Sequence, residues 1–317
     1  MKIGFIGLGN VGGKLAGSLL RNGFDLTVRD LNSEIAKTFF EKGAKLGESP
    51  KQMAETTDMM ITCLPNPEAS ATVMEAEDGI IAGLSPGKVW AEMSTTDEAE
   101  VKRLGAKVQK FGSEALDCPV SGGCHRAATG NISIFVGGER STFEKILPVL
   151  KVLGRLILHT GALGSASVLK VMTNYLATAN LVTLCEAMTT AKMAGMNLKT
   201  TYEAIRISSG NSFVHETESQ VILNGSRDIN FTMDLVIKDI SLFQSIADRA
   251  GVPLEVSPLL IDIFKDGEQR YGTREWSPNI IRRLEDACGI QILASGFPKQ
   301  MVDSEPEVYG EEVVVHN

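Results

Sequence analysis

The sequence is short of several things, and each shortage excludes a class of protein. Proline supplies only 11 of 317 residues while 43% of the chain is hydrophobic and 22% charged, which is not the composition of a disordered, collagenous or fibrous chain. There is no dense lysine and arginine run. With 31 basic residues against 39 acidic ones the formal charge is −8, so no nucleic-acid partner is expected. The five cysteines (Cys63, Cys118, Cys124, Cys185, Cys288) contain no CxxC pair, and an odd number scattered over so long a chain does not describe a disulfide framework. Reduced thiols, a cytoplasmic setting and no metal site are expected. No stretch of about 18 uncharged apolar residues could span a bilayer. The opening MKIGFIGLGN is too short and too glycine-interrupted for a signal-peptide core, so no membrane partner is expected either.

What is present is enough chain for two domains with a core in each. Residues 2–6 form a short apolar run ending in glycines, and Val11, Leu15, Leu19 and Leu20 follow at helical spacing, which reads as strand, tight turn, helix. Further strand-like runs recur at 25–29, 58–64, 88–93, 113–117, 132–136 and 155–159, separated by helix-length segments. This alternation predicts an α/β fold with a doubly wound parallel sheet over residues 1–163. Past His159-Thr160-Gly161 the character changes. Residues 167–196 predict one long helix, and further helices are expected at 198–208, 212–223, 234–250, 255–270 and 277–287, giving an all-α domain over 164–287. Residues 288–317 hold Lys299 against Asp303, Glu305, Glu307, Glu311 and Glu312, an acidic extension that is either mobile or a contact arm.

The chemistry begins at Gly7-Leu8-Gly9-Asn10-Val11-Gly12, a G-x-G-x-x-G placed after a strand and opening a helix. The first glycine makes the turn, the second admits a pyrophosphate and the third lets the helix pack on the sheet, while the helix N-terminus offers free N–H groups. Asp30 ends the next strand about twenty residues on, where a carboxylate can accept from both ribose hydroxyls and would repel a 2′-phosphate. NAD is therefore expected over NADP, although Arg29 beside it could offset part of that charge. Cys63-Leu64-Pro65-Asn66 and Ser94-Thr95-Thr96 fall at the C-terminal ends of predicted strands, the ligand-binding edge of open α/β sheets.

The segment Asp117-Cys118-Pro119-Val120-Ser121-Gly122-Gly123 ends in a Ser-Gly-Gly loop whose backbone N–H groups and hydroxyl suit an anion. Beyond the expected boundary, Gly161-Ala162-Leu163-Gly164-Ser165-Ala166-Ser167-Val168-Leu169-Lys170-Val171-Met172-Thr173-Asn174 opens the long helix. Lys170 and Asn174 are four apart and share one face of it. A lysine in that apolar wall can exchange a proton with a substrate hydroxyl, partial burial favouring its neutral form.

Four blocks, GFIGLGNVG, DCPVSGG, GALGSASVLKVMTN and FTMDLVIKD, occur in this order, and with them the chain resembles the β-hydroxyacid dehydrogenase family, which includes 3-hydroxyisobutyrate dehydrogenase and tartronate semialdehyde reductase. The resemblance covers residues 1 to about 287. It implies a Rossmann-like domain, an all-α domain and a cleft between them. It also implies that Lys170 is the catalytic lysine, Asn174 a substrate-binding asparagine, and Ser121, Gly122 and Gly123 the substrate anchor. Lys238 matches a lysine on the nicotinamide side, and Leu64, Pro65 and Thr95 match cofactor contacts alongside Gly7, Gly9, Asn10, Val11, Gly12 and Asp30. The chain departs from the pattern at Arg126, where the family has glycine, with His125 beside it. A second anion contact from Arg126 and a surface arginine are both open readings. The expected activity is interconversion of a small β-hydroxy acid, or a related short anionic alcohol such as a sulfonate, with its semialdehyde, in a homodimer or homotetramer. A non-catalytic dinucleotide sensor, a 6-phosphogluconate-dehydrogenase-like reaction and imine reduction remain as alternatives.

Overall fold

The opening apolar run forms β1 (Lys2–Ile6), and the glycines after it lead into α1 (Gly12–Arg21) and back through β2 (Asp25–Arg29). The alternation continues through α2 (Ser33–Phe40), β3 (Lys45–Leu46), α3 (Pro50–Thr56), β4 (Met59–Thr62), α4 (Pro67–Glu75), β5 (Val89–Glu92), α5 (Glu98–Gln109) and β6 (Glu114–Asp117). Prolines open α3 and α4 behind the capping side chains of Ser49 and Asn66, where a missing N–H costs nothing. Then come β7 (Val120–Ser121), α6 (Gly123–Ala128), β8 (Ile132–Gly137), α7 (Arg140–Leu153) and β9 (Gly154–Gly161).

This computed structural model describes residues 1–315, in two compact units. One comprises Met1–Lys170 and the stretch from Asp303 on; the other comprises Val171–Val302. The first is a single sheet in the order β9-β8-β6-β5-β4-β1-β2-β3, with β7 paired to β8. Alternate side chains feed two cores: Ile3, Phe5, Met59, Ile61, Ala91 and Leu116 on one face, Ile6, Met60, Trp90 and Ala115 on the other. Both faces are buried under helices, which is the signature of a doubly wound sheet. The far edge differs from a purely parallel order. β8 runs antiparallel to β6, with Asp117 opposite Gly137, because β7 folds straight back onto β8 and the six-residue α6 is too short to return the chain along the sheet.

α8 (Ser165–Met193) is the long helix expected from 167–196, and it carries the chain from the first unit into the second. α9 (Leu198–Arg206), α10 (Phe213–Asn224), α11 (Met233–Ala250) and α12 (Val256–Tyr271) follow. The last predicted helix is split. Pro278 sits in a tight turn over Ser277–Ile281 before α13 (Arg282–Cys288). The core of this unit includes Leu184, Met188, Ile222, Val236, Ile240 and Phe264. The extension then returns to the first unit, where β10 (Glu311–Glu312) adds to β9 as a parallel edge strand.

Inside α10, Glu218 has one carboxylate oxygen sealed from water with no hydrogen-bond partner among the described residues, and burial pushes its carboxyl up to about 8. An acid whose folded pKa is raised stabilises the fold below its unfolded value near 4.5 and loses that contribution as pH rises towards 8. The loss is at most about 1.4 kcal/mol per pH unit. Thermal melts should therefore fall between pH 5 and 8, and Glu218→Gln should flatten that slope and raise Tm at pH 8. An unchanged slope would exclude Glu218 as its source.

Candidate active site

The turn after β1 is dictated by space. Gly7 lies at φ +98°, and a Cβ there would stand 2.2 Å from the Cys63 carbonyl oxygen. A Cβ at Gly12 would stand 2.0 Å from the Gly7 oxygen, so neither position accepts a larger residue. At Gly9, by contrast, an added Cβ meets nothing within 4 Å, which leaves that side of the backbone open to an approaching group. α1 begins without a side-chain cap or an acidic residue in its first turn, so its leading N–H groups are unsatisfied by side chains and suited to an anion. Asp30 accepts from the Leu8 N–H at 2.6 Å and from the Asn32 N–H at 2.8 Å. Its carboxylate is thereby tied to the glycine turn. Arg29 is directed instead to the carbonyls of Gly47 (3.2 Å) and Glu48 (2.7 Å). An open glycine, uncapped N–H groups and a fixed carboxylate fit a dinucleotide.

At the carboxyl ends of β4 and β5, the Leu64 N–H donates to Ser94 Oγ at 2.7 Å. Ser94 in turn bonds Glu92 through its hydroxyl and through its N–H at 2.9 Å. Glu92 is fully buried, and burial pushes its carboxyl up. This chain fixes the Leu64-Pro65 loop against the loop carrying Thr95.

The Ser-Gly-Gly loop has its own constraints. Ser121 pairs with Ser133 of β8, after which Gly122 and Gly123 take φ +126° and +86°, angles that other residues rarely adopt. Arg126 folds its stem over the first glycine, its Cδ 3.3 Å from where a Cβ would be, and the His125 ring lies 2.9 Å from that point on the second. Burial and the neighbouring Arg126 charge push the His125 pKa down, with Asp303 opposing.

Asp117, the last residue of β6, is one of two carboxylates whose role sequence reading passed over. Fully buried, it accepts from the Gly164 N–H (2.8 Å), the Ser167 N–H (2.7 Å) and the Ser167 hydroxyl (2.9 Å). Burial pushes its carboxyl up, and those donors pull against it. Gly137 must be glycine, because a Cβ would lie 2.3 Å from the Asp117 oxygen. The carboxylate thus joins the strand that leads into the Ser-Gly-Gly loop to the first turn of α8. Lys170 lies on the next turn, 7% exposed.

In the helical unit, Asn174 Nδ2 donates to Asp239 Oδ2 at 2.5 Å, and Lys238 pairs with the other oxygen of that carboxylate at 2.8 Å. Asp239 is 2% exposed and was missed at the sequence level, although it stands beside Lys238 in one of the quoted blocks. It links two residues that were singled out separately.

Comparison with known proteins finds relatives over most of the chain. Residues 2–161 match the family described as the NAD binding domain of 6-phosphogluconate dehydrogenase, and residues 164–284 match the family described as NAD-binding of NADP-dependent 3-hydroxyisobutyrate dehydrogenase. The chain is 32% identical to 2-(hydroxymethyl)glutarate dehydrogenase of Eubacterium barkeri, over 92% of this chain and 97% of that protein. It is 31% identical to the mitochondrial 3-hydroxyisobutyrate dehydrogenase of Rattus norvegicus, over 83% and 81%. The crystal structure of a 3-hydroxyisobutyrate dehydrogenase from Salmonella typhimurium superposes with a TM-score of 0.82 at 25% identity, covering 89% of this chain and 99% of that one.

Proposed function

Since the chain belongs to the β-hydroxyacid dehydrogenase family, NAD(P)-dependent enzymes acting on CH–OH donors, we propose that it interconverts a small β-hydroxy acid, or a similar short anionic alcohol, with its semialdehyde. The observation that supports this most is the Asp117 tie, which puts the anion-anchoring loop and the helix turn bearing Lys170 on one frame. In this reading the substrate's anionic group rests on the Ser121 hydroxyl and the N–H groups of Gly122 and Gly123, with Asn174 holding the reacting end. Arg126, whose stem lies over Gly122, offers a second anion contact through its planar fork. Lys170 as a neutral amine takes the hydroxyl proton on oxidation and, as ammonium, returns it on reduction. The bound nicotinamide supplies the hydride acceptor or donor. Lys238, held by Asp239, contacts the cofactor, as do Leu64, Pro65 and Thr95.

The test is absorbance of reduced nicotinamide with NAD or NADP and a panel of three- and four-carbon hydroxy acids and sulfonates. Turnover of a panel member is expected, and a protein that binds dinucleotide yet turns over none would refute the reaction. Arg126→Ala should raise KM most for the substrate with the second anion; an unchanged KM across the panel removes Arg126 from the site.

NAD is the preferred cofactor in this reading, because Asp30 carries a fixed negative charge and Arg29 is engaged elsewhere. Asp30→Ala should weaken NAD by about 10- to 100-fold, the range for a hydrogen bond to a charged group, with little loss for NADP. Equal loss for both would show that Asp30 does not read the ribose. No helix among the described residues is long and apolar enough to cross a membrane. A homodimer or homotetramer is part of this reading. A light-scattering mass near 34.1 kDa would overturn that.

A further inference from the structure

The extension lies beyond both matched families, the second of which ends at residue 284, and nothing in the proposed reaction uses it. Four of its five acidic residues nevertheless have individual seats. Glu307 accepts from Arg21 (3.2 Å) and Asn22 (3.3 Å) at the end of α1, Glu305 pairs with Arg155 at 3.3 Å, and Glu312 pairs with Arg140. The backbone is seated too. The Gly310 N–H donates to the Lys151 carbonyl at 2.7 Å, the Val313 N–H to the Ile157 carbonyl at 2.8 Å, and a Cβ on Gly310 would stand 1.9 Å from the Gly154 oxygen.

Asp303 differs from these because it engages the substrate loop's own helix. One of its oxygens accepts from the Thr129 hydroxyl (2.5 Å) and from Asn131 Nδ2 (2.8 Å), and the other accepts from the Glu305 N–H (3.2 Å). Asn131 Nδ2 also reaches the Glu305 carbonyl at 3.1 Å. Thr129 is the residue that closes α6, the helix that starts at Gly123 and carries His125 and Arg126. The N–H of Asn131 donates to the Arg126 carbonyl at 2.8 Å, and Thr129 Oγ1, its one proton directed to Asp303, lies 3.1 Å from the same carbonyl. A helix of six residues has little stability of its own, so its position depends on what holds its two ends. The front end is held by the pairing of β7 with β8, and the back end by Asp303 on Thr129 and by Arg21, which donates to the Ala128 carbonyl at 2.9 Å. Burial raises the Asp303 carboxyl, but the bonds from Thr129, Asn131 and the Glu305 N–H, with the nearby Arg126 charge, together hold it below its ordinary value. It is therefore a carboxylate at neutral pH.

We propose that Asp303 is a positioning residue for the substrate-anchoring loop: the C-terminal extension is a strap that holds α6 from behind, so that Gly122, Gly123 and Arg126 are presented to the anion in one fixed arrangement. This rests on the reading of Ser121, Gly122 and Gly123 as the anchor. Glu307 works to the same end through Arg21, whereas the contacts of Glu312 on α7 and of β10 on β9 protect the sheet edge away from α6.

The experiment uses the full-length protein and 3-hydroxyisobutyrate as probe, comparing Asp303→Ala, Asp303→Asn and Thr129→Val with Glu312→Gln, which loosens the strap away from α6. Asp303→Ala is expected to raise KM by about tenfold, as loss of charge-assisted hydrogen bonds implies, with kcat and NAD affinity within about twofold of the parent. Asp303→Asn, which keeps an acceptor for Thr129 and Asn131, should recover much of that loss. Thr129→Val should match Asp303→Ala, and the double variant should be no worse than either. Glu312→Gln should lower Tm without moving KM. Amide hydrogen exchange should rise over residues 123–131 in Asp303→Ala and stay unchanged in β8.

An unchanged KM in Asp303→Ala and Thr129→Val, or a KM that moves only with Tm and NAD affinity as in a general loosening, overturns the proposal. If Asp303→Ala does not fold, Thr129→Val reads the same contact from the other side. Ser121→Ala separates the two levels of the argument. If it leaves KM unchanged the anchor reading has failed, whereas a raised KM there with no effect at Asp303 leaves the anchor standing and removes the strap.

Discussion

Lys170→Met is expected to lower kcat by about two to four orders of magnitude, the span of general acid–base catalysis, with NAD affinity within about twofold of the parent. Methionine suits this test because Lys170 is only 7% exposed, and an apolar side chain of similar length fills the space that alanine would leave empty. Lys170→Ala should be equally inactive but less stable. Lys170→Arg should be inactive as well, because a guanidinium keeps its proton at any accessible pH and so cannot act as the base. Steady-state turnover, isothermal titration with NAD and a thermal melt of each variant separate chemistry from folding. Retention of more than about a tenth of kcat in Lys170→Met would refute proton transfer by this residue, since the smallest contribution expected of a general base is about 100-fold.

A comparably large effect is expected from Asp117, which on this reading never touches the substrate. Asp117→Ala strands two buried N–H groups and a hydroxyl, each costing about 1–3 kcal/mol when unsatisfied, so a loss of about 3–5 kcal/mol is expected after the Ser167 hydroxyl turns elsewhere. That is a large share of the stability of an ordinary domain. Asp117→Asn is the more informative change. Its amide can satisfy one N–H but must turn an NH2 group towards the other, which tilts the first turn of α8 against the loop that begins at Ser121. Because Lys170 lies one turn further on, kcat should fall about 10- to 100-fold, with NAD affinity unchanged, since the glycine turn and Asp30 make no use of this contact. A variant that loses stability but keeps kcat would show that Asp117 holds the fold and not the lysine.

These effects also mark where the sequence could be read and where it could not. The glycine turn was legible because its requirements lie within six residues and follow from backbone sterics: Gly7 and Gly12 each leave no room for a Cβ. Strands of the first unit were legible as short continuous apolar runs, since both faces of the sheet are buried, and its helices from period-3.6 patterning. α8 and the shared face of Lys170 and Asn174 follow from the same period. The antiparallel β8, the split at Pro278 and the short strands β3, β7 and β10 were not visible, because two residues carry no period and the direction of a strand depends on how the intervening chain turns.

The extension shows the limit most clearly. In the sequence its acidic residues amount to a net charge, compatible with a mobile tail or a contact arm, and only the folded chain gives Asp303 to Thr129, Glu307 to Arg21 and Glu312 to Arg140. The same holds for Asp117 with Ser167 and for Asp239 with Asn174. The sequence by itself determined the two kinds of domain and the dinucleotide turn, and it named the candidates for the chemistry. Which buried carboxylate holds which of those residues in place was decided only by the tertiary structure. A buried polar group must find a partner, but local spacing says nothing about which distant segment will supply it.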